Sequence, residues 1–526
     1  MSVTPSGASG SGRHRIVIWG DLAVMSSAPL IAAVAAGLDE HTLAIYLGAV
    51  GVVIVVSGIV SGVIDRAPVS QVLVFVALGF LLGPSGFGAF DLTLTSPVVQ
   101  GLAVISLTLV LFTDAITINL GQLRSNWVPP ALALGPGAIV TVVVIALAAV
   151  LLFGLPAPLA LLVGAILAST DAVLLRDLTR DSRIPLAVRH TLSVEAGAND
   201  LIVLPLVLSL AAAASGAGRG AGDWLRFLVG LIVLAPLVGI VIALVAIEID
   251  AWLRRRRLIR REYESLYSIG VAFVAFAAAQ LLGGSGFLAA FAAGLTISFI
   301  DVELCDCFLE YGETTAEVAM LLTFVLLGST LVLTSVAAFG WRTLVFASIA
   351  LGVARPLAML LSLARSHLSR DGKAMLAWFG PRGLNSLLLL ILALSAGVPR
   401  GDELTGIVGV VVLASILLHG MTATPLANWY GRRTREATLP EETAADAGRL
   451  LQVAPAPAGA VPRMTPAELK RLLDDGAPVT IVDTRRAAAW NGSRETIPGA
   501  IRMPVDEIPA RWTTLPNGPP IVLFCT

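Results

Sequence analysis

Charge is the scarcest resource in this 526-residue chain. Only 13% of residues are Asp, Glu, Lys or Arg, against about 25% in ordinary soluble domains. Neither sign dominates, with 35 Lys and Arg against 36 Asp and Glu. Without a basic excess the chain lacks the electrostatic footprint of a nucleic-acid binder. Cysteine is nearly absent as well. Cys305, Cys307 and Cys525 cannot form a disulfide framework, and their spacing lacks the paired C-x-x-C of a structural zinc site. Apolar residues fill what is left: 56% of the chain, with a mean hydropathy of +0.87. That composition excludes a water-soluble globule and a disordered chain, and leaves a polytopic membrane protein.

Apolar runs recur from about residue 43 to about residue 426. The spans read as 43–64, 69–83, 98–118, 131–153, 157–175, 188–214, 224–249, 264–282, 286–300, 316–336, 341–364, 374–396 and 404–427, about thirteen transmembrane helices by length and hydropathy. Residues 1–42 form an N-terminal segment in which Ile16–Gly37, behind Arg13 and Arg15, has the makings of an extra membrane helix, although Asp21 and Pro29 interrupt it. Residues 43–430 make up the membrane domain, 431–462 an Ala-, Pro- and Glu-rich linker, and 463–526 a separate tail that is denser in charge than the membrane domain. In the tail, Pro466 and Glu468 mark a helix start, and Val479–Val482 and Ile521–Phe524 read as buried parallel strands.

Arg and Lys placement orients the bundle. Arg254–Arg257 with Arg260 and Arg261, the group Arg176, Arg180, Arg183 and Arg189, the group Arg365, Arg370 and Lys373, and the pair Arg432 and Arg433 all fall on one side of an odd-numbered bundle. By the positive-inside rule that side is cytoplasmic, and the tail lies there too. The acidic stretch Asp301–Glu317 reads as an interhelical break on the same side.

A charge inside a bilayer costs at least about 2.5–3.5 kcal/mol, so each intramembrane charge needs a reason. Asp114 lies near the end of the third span and is expected to find an arginine partner. Asp171 falls in the fifth span, Glu195, Asn199 and Asp200 in the sixth, Arg355 in the eleventh and Arg382 in the twelfth. Glu195 and Asn199 are four residues apart and share a helix face; Asp200 follows about 140° from Glu195 by the 100° helical step. Carboxylate and amide oxygens are hard ligands suited to a small hard cation, and a carboxylate carries a proton instead. A site that takes one or the other couples the two fluxes.

Gly380-Pro381-Arg382-Gly383 cannot continue a regular helix, because Pro lacks the donor and Gly favours open backbone. Thr170-Asp171 occupies the equivalent place in the fifth span if spans 2–6 and 9–13 are inverted repeats. Paired broken helices at matching positions point to a secondary-transporter site.

These residues resemble the monovalent cation:proton antiporters of the NhaP and sodium–hydrogen exchanger type over about residues 43–430. Thr170-Asp171 is similar to that family's Thr-Asp segment, Glu195 with Asn199-Asp200 to its Glu-Ser-x-x-Asn-Asp motif, and Gly380-Pro381-Arg382-Gly383 to its Gly-x-Arg-Gly motif. Leu82–Gly86, Gly286–Phe291 and His419–Thr422 are secondary matches. The resemblance implies an all-α fold with two broken crossing helices, a homodimer and a moving core domain. It implies alternating-access exchange of Na⁺ or K⁺, or Li⁺, for protons across the cell membrane, electroneutral because Asn199 precedes Asp200. Asp200, Asn199, Glu195 and Thr170 are then the ion-binding residues, and Asp171, Arg382 and Arg355 compensate charge. No enzymatic cofactor is implied, nor a nucleic-acid partner. The family's Ser is Ala196 here, its usual Pro after Thr-Asp is Ala172, and Leu201 stands where Gly is common, so ion preference stays open. The tail resembles a rhodanese domain through Asp483-Thr484-Arg485, Ile497-Pro498-Gly499-Ala500 and Cys525. Only about 63 residues follow Met464 and the anion-cradling loop after Cys525 is missing, so the expectation is a partial domain without sulfurtransferase activity. A cation channel and a membrane-anchored sulfurtransferase are the competing readings, the latter needing far fewer helices than are present.

Overall fold

The computed structural model describes residues 48, 51–59, 71–84, 86–88, 94, 96–118, 127–180, 184–216, 220–256, 258, 260–300, 302–366, 368–436, 466–474, 476, 478–484, 497–503 and 520–524. The extra helix expected within 16–37, residues 437–462 of the linker and Cys525 lie outside these residues, while residues 431–436, also read as linker, continue the last membrane helix. The chain divides into two compact units, Met1–Gly448 and Arg449–Thr526.

The first unit is helical. After a helical stretch at 51–59 come α1 (Gln71–Leu82), α2 (Pro97–Thr117), α3 (Val128–Phe153), α4 (Ala157–Ala168), α5 (Ala172–Arg180), α6 (Leu186–Ala214), α7 (Ala221–Arg255), α8 (Arg261–Leu281), α9 (Gly286–Ile300), α10 (Val302–Ala337), α11 (Trp341–Ser362), α12 (Arg370–Trp378), α13 (Leu384–Ser395) and α14 (Gly401–Glu436). Among the described residues, seven helices are long and apolar enough to cross a membrane: those over α2, α3, α6, α7, α8, α11 and the first part of α14. On α7 the apolar side chains Ile232, Val233, Leu237, Val241 and Val245 stand exposed, as a lipid-facing helix requires.

Two spans are interrupted where the sequence led one to expect broken helices. The fifth ends at Ala168 and resumes as α5 at Ala172; the twelfth ends at Trp378 and resumes as α13 at Leu384. α4 and α13 have 12 residues each, about 18 Å of helix at 1.5 Å per residue, which is short of the ~30 Å hydrocarbon core. The acidic stretch expected as a break is instead helical: α10 starts at Val302. Charge stops a hydropathy run, but Glu is a good helix former and does not stop a helix.

The wide π-turns at Ala133–Gly137, Gly230–Leu234 and Ala350–Ala354 have a common cause. Pro136, Pro236 and Pro356 lie in or just beyond them, and each removes an N–H and pushes away the carbonyl four residues earlier.

α1 packs along α10 and α9 along α2, while α3 lies against α4 and α4 against α6. The α1–α10 contact depends on glycine on both sides: a Cβ at Gly79 would strike the Val325 main chain, and one at Gly328 the Val76 main chain. Without a hydrophobic drive between helices in lipid, such backbone proximity is what holds them together. The interior helix α4 is apolar all round and α13 nearly so apart from Asn385, Ser386 and Ser395, with Leu159–Ala168 almost wholly buried and Leu384–Ile391 fully so. At one end of the unit Leu175, Leu178, Ile184, Val188, Leu363, Leu368 and Tyr430 form a single apolar cluster, and Arg433 reaches Asp371 at 3.4 Å.

The second unit has α15 (Pro466–Asp474) and strands β1 (Thr480–Asp483), β2 (Ile501–Arg502) and β3 (Ile521–Phe524). They form a parallel sheet in the order β2-β1-β3. β1 is wholly buried, as expected, but β3 alternates exposed and half-buried residues. Thr484 donates to the Phe524 carbonyl, and Arg502 faces Asp483 at 3.7 Å.

Candidate functional site: two crossed breaks and a buried carboxylate

The interruptions in the two broken helices meet. Ser169, Thr170 and Asp171 favour local side-chain bonds over a helical ladder, and Pro381 with Gly383 opens the other chain. The Asp171 N–H donates to the Pro381 carbonyl at 2.9 Å, linking the breaks main chain to main chain. Ser386 reaches back to the Ile166 carbonyl at 2.9 Å.

Each helix end at the crossing faces an opposite charge. The C-terminal end of α4 presents carbonyls, and Arg382 Nη1 donates to those of Ala168 (2.7 Å) and Ser169 (3.0 Å). The N-terminal end of α13 presents N–H groups, and Asp171 Oδ2 accepts from Leu384 N–H at 2.7 Å. A cation at a helix C-terminus and an anion at an N-terminus are each the favourable sign for the helix dipole. Both residues are 1% exposed.

α6 runs past this crossing and carries Glu195, Asn199 and Asp200, all buried. Gly197 sits between them and lets α6 approach α2, where a Cβ would come within 3.3 Å of the Asp114 carbonyl. Asp114 is itself buried.

The three α6 side chains do not share one environment. Glu195 faces α11, where Arg355 donates to Oε1 and Oε2, both at 2.9 Å. Arg355 also donates to the Phe379 carbonyl (2.7 Å) and the Leu376 carbonyl (3.2 Å) at the end of α12. Thr170 Oγ1 donates to Glu195 at 2.9 Å and lies within 3.3 Å of Arg355, 3.2 Å of Arg382 and 3.1 Å of Asn199 Nδ2. Asn199 Nδ2 further donates to the Ala168 carbonyl, while its Oδ1 is buried with no hydrogen-bond partner among the described residues.

Asp200 faces elsewhere. Its Oδ1 accepts from Ser169 at 3.0 Å and its Oδ2 from Asn385 Nδ2 at 2.8 Å. No ion pair to it occurs among the described residues. Among the described residues the crossing therefore holds three acids (Asp171, Glu195 and Asp200) and two arginines (Arg355 and Arg382), one negative charge more than the arginines balance.

Sequence reasoning gave no site role to four residues, His419 among them although it opens one of the secondary matches. Ser169 stood beside Thr170-Asp171 and Asn385 was the lone amide in a leucine run, signals that the motifs overshadowed. Ser415 and His419 on α14 brace the second break. Ser415 Oγ accepts from the Arg382 N–H at 2.7 Å, and His419 bonds Ser415 through Nδ1 and the Trp378 carbonyl through Nε2, at 3.0 and 3.1 Å. Their i, i+4 spacing on one helix face was the available cue.

Crossed, interrupted helices around buried carboxylates in a helical membrane bundle define a secondary transporter. The sequence model for the sodium/hydrogen exchanger transmembrane domain matches residues 25–429, and the chain belongs to that family. A rhodanese-like domain model matches residues 465–526. The chain is 28% identical over 397 residues to the K⁺/H⁺ antiporter NhaP of Alkalimonas amylolytica, covering 75% of this chain and 68% of that one. It is 29% identical over 382 residues to the K⁺/H⁺ antiporter NhaP2 of Shewanella sp. (strain ANA-3), covering 71% and 64%. The solved structure of the sodium proton antiporter MjNhaP1 from Methanocaldococcus jannaschii has a similar fold, with a TM-score of 0.61 at 21% identity over 74% of this chain and 99% of that one.

Proposed function

We propose that the membrane domain exchanges a monovalent cation, Na⁺ or K⁺ and in principle Li⁺, for protons by alternating access, with Asp200 as the exchanged site. The observation that carries this reading is the uncompensated charge at the crossing. Arg355 is matched to Glu195 and Arg382 and Asp171 are matched to helix ends, which leaves the Asp200 carboxylate with neutral partners, Ser169 and Asn385. A single buried negative charge is neutralised equally by one proton or by one monovalent cation, and not by both. Mutual exclusion at one carboxylate makes the exchange coupled, one for one and electroneutral.

Asn199 contributes its unpartnered carbonyl oxygen, Thr170 an oxygen from the break, and Glu195 the negative field that Arg355 tempers. Asp171, Arg382 and Arg355 hold the crossing by balancing charge. The matching π-turns in α3 and α11 and the matching breaks after α4 and α12 support two inverted repeats within about thirteen spans. The clustering of Leu175, Ile184, Leu368 and Tyr430 at one end supports placing the basic breaks and the tail together on the cytoplasmic side of the cell membrane. A homodimer in lipid is the assembly this reading takes.

The test uses everted vesicles loaded with a pH-sensitive dye under an imposed proton gradient. Addition of Na⁺, K⁺ or Li⁺ should restore fluorescence with the wild-type chain and fail to do so with Asp200→Asn, which keeps the shape but loses the charge. Wild-type exchange by a folded Asp200→Asn protein would move the assignment to Asp171 or Glu195.

A further inference from the structure

Asn385 is built into the crossing without having been singled out by any motif. It lies in the first turn of α13, is 2% exposed, and stands between Leu384 and Ser386, ahead of the buried apolar run Leu387–Ile391. A side-chain amide in such surroundings is expensive unless it is bonded, and its bond goes to Asp200 Oδ2. Against a carboxylate oxygen only the NH₂ side of the amide can make that bond. The observed arrangement is therefore fitted to a bare Asp200, with Ser169 donating to one oxygen and Asn385 to the other.

A cation bound at Asp200 reverses the requirement. N–H groups directed at it repel it, and oxygens attract it. Asn385 has both ends available, because a half-turn about the bond to its amide carbon exchanges NH₂ for Oδ1. Ser169 makes the same exchange by rotating its hydroxyl, which carries two lone pairs. Asn199 Oδ1, one residue before Asp200, is already an acceptor with no donor among the described residues. Side chains from α6, from the break after α4 and from α13 would then supply the oxygens.

We infer that Asn385 is a ligand of the transported cation, donating to Asp200 when the site is empty and presenting its carbonyl oxygen when the cation enters, and that it sets ion selectivity. The inference rests on Asp200 being the exchanged site. Selectivity follows because ligand number and cavity size separate cations of different radius. Removing one oxygen penalises the smaller, more tightly hydrated ion more.

The experiment compares half-saturating concentrations of Li⁺, Na⁺ and K⁺ in everted vesicles for wild type, Asn385→Leu and Asn385→Ser. With Asn385→Leu the ratios between ions should change on the order of tenfold, the scale of losing one bond to a charged group. With Asn385→Ser, which retains an oxygen, they should change less. A shift by the same factor for all three ions means that the amide only props Asp200, and overturns the inference; so does no shift. Should Asn385→Leu be inactive, the rise in melting temperature that each ion produces in purified wild type and Asn385→Ser gives the same ratios. Asp200→Asn reports separately on the underlying reading: its loss of exchange beside a common-factor shift retires Asn385 as a ligand and keeps Asp200.

Discussion

Arg355 on α11 grips both carboxylate oxygens of Glu195 on α6, although 160 residues separate them. Their side chains are each 4% exposed. The pair joins α6 to the end of α12, because the same guanidinium also donates to the Leu376 and Phe379 carbonyls. Removing one member of such a pair strands the other charge.

Arg355→Leu should therefore lower stability by about 3–5 kcal/mol, the usual result of breaking a buried pair from one side. Combining it with Glu195→Gln should recover part of the loss. Thermal unfolding of the purified single and double variants measures both, and strictly additive effects would show that the two residues are not coupled.

Arg382→Ala should impair both stability and exchange. It removes bonds to the Ala168 and Ser169 carbonyls, each charged bond contributing about 1.5–3 kcal/mol. Arg382→Lys should be milder, since an ammonium restores the charge and one of the bonds but not the planar fork. Wild-type melting and transport in the Ala variant would contradict this.

Gly383 packs directly on Asp171. A Cβ there would strike Asp171 Oδ2 and come within 3.0 Å of Leu174 Cδ1, forcing the carboxylate off the Leu384 N–H. Gly383→Ala should cost about 1–3 kcal/mol from overpacking and slow exchange. Asp171→Asn, which keeps the volume and loses the charge at the helix N-terminus, should cost about 0.3–2 kcal/mol. Melting curves of the two variants should rank in that order.

With Asp200 as the exchanged site, as proposed above, one charge replaces one charge. Exchange rates in proteoliposomes should then be unchanged when the membrane potential is clamped with a K⁺ ionophore during Na⁺-driven exchange. A rate that follows the imposed potential would mean that a second charge moves.

Much of this was legible in residue order. The scarcity of charge and the length of the apolar runs dictate a helical membrane protein, because every buried main-chain group must be satisfied within its own segment. Gly380-Pro381-Arg382-Gly383 announced its break, since the missing proline N–H is a local effect, whereas Thr170-Asp171 was placed at the matching break only through the expected repeat. The acidic start of α10 was misread because hydropathy reports on membrane depth and not on helix formation.

The partition of the acids was not legible. Spacing alone grouped Glu195, Asn199 and Asp200 as one cluster on α6. The same 100° step that puts Asn199 beside Glu195 turns Asp200 about 140° away, and which neighbours wait on each face is decided by helices distant in sequence. Tertiary packing brought Arg355 to Glu195 and Asn385 to Asp200. The sequence thus determined which charges are buried and on which helices. Only the packing of α11 and α13 against α6 decided which carboxylate is paired with an arginine and which has neutral partners among the described residues, because Coulomb and hydrogen-bond energies depend on distances through space that residue order does not contain.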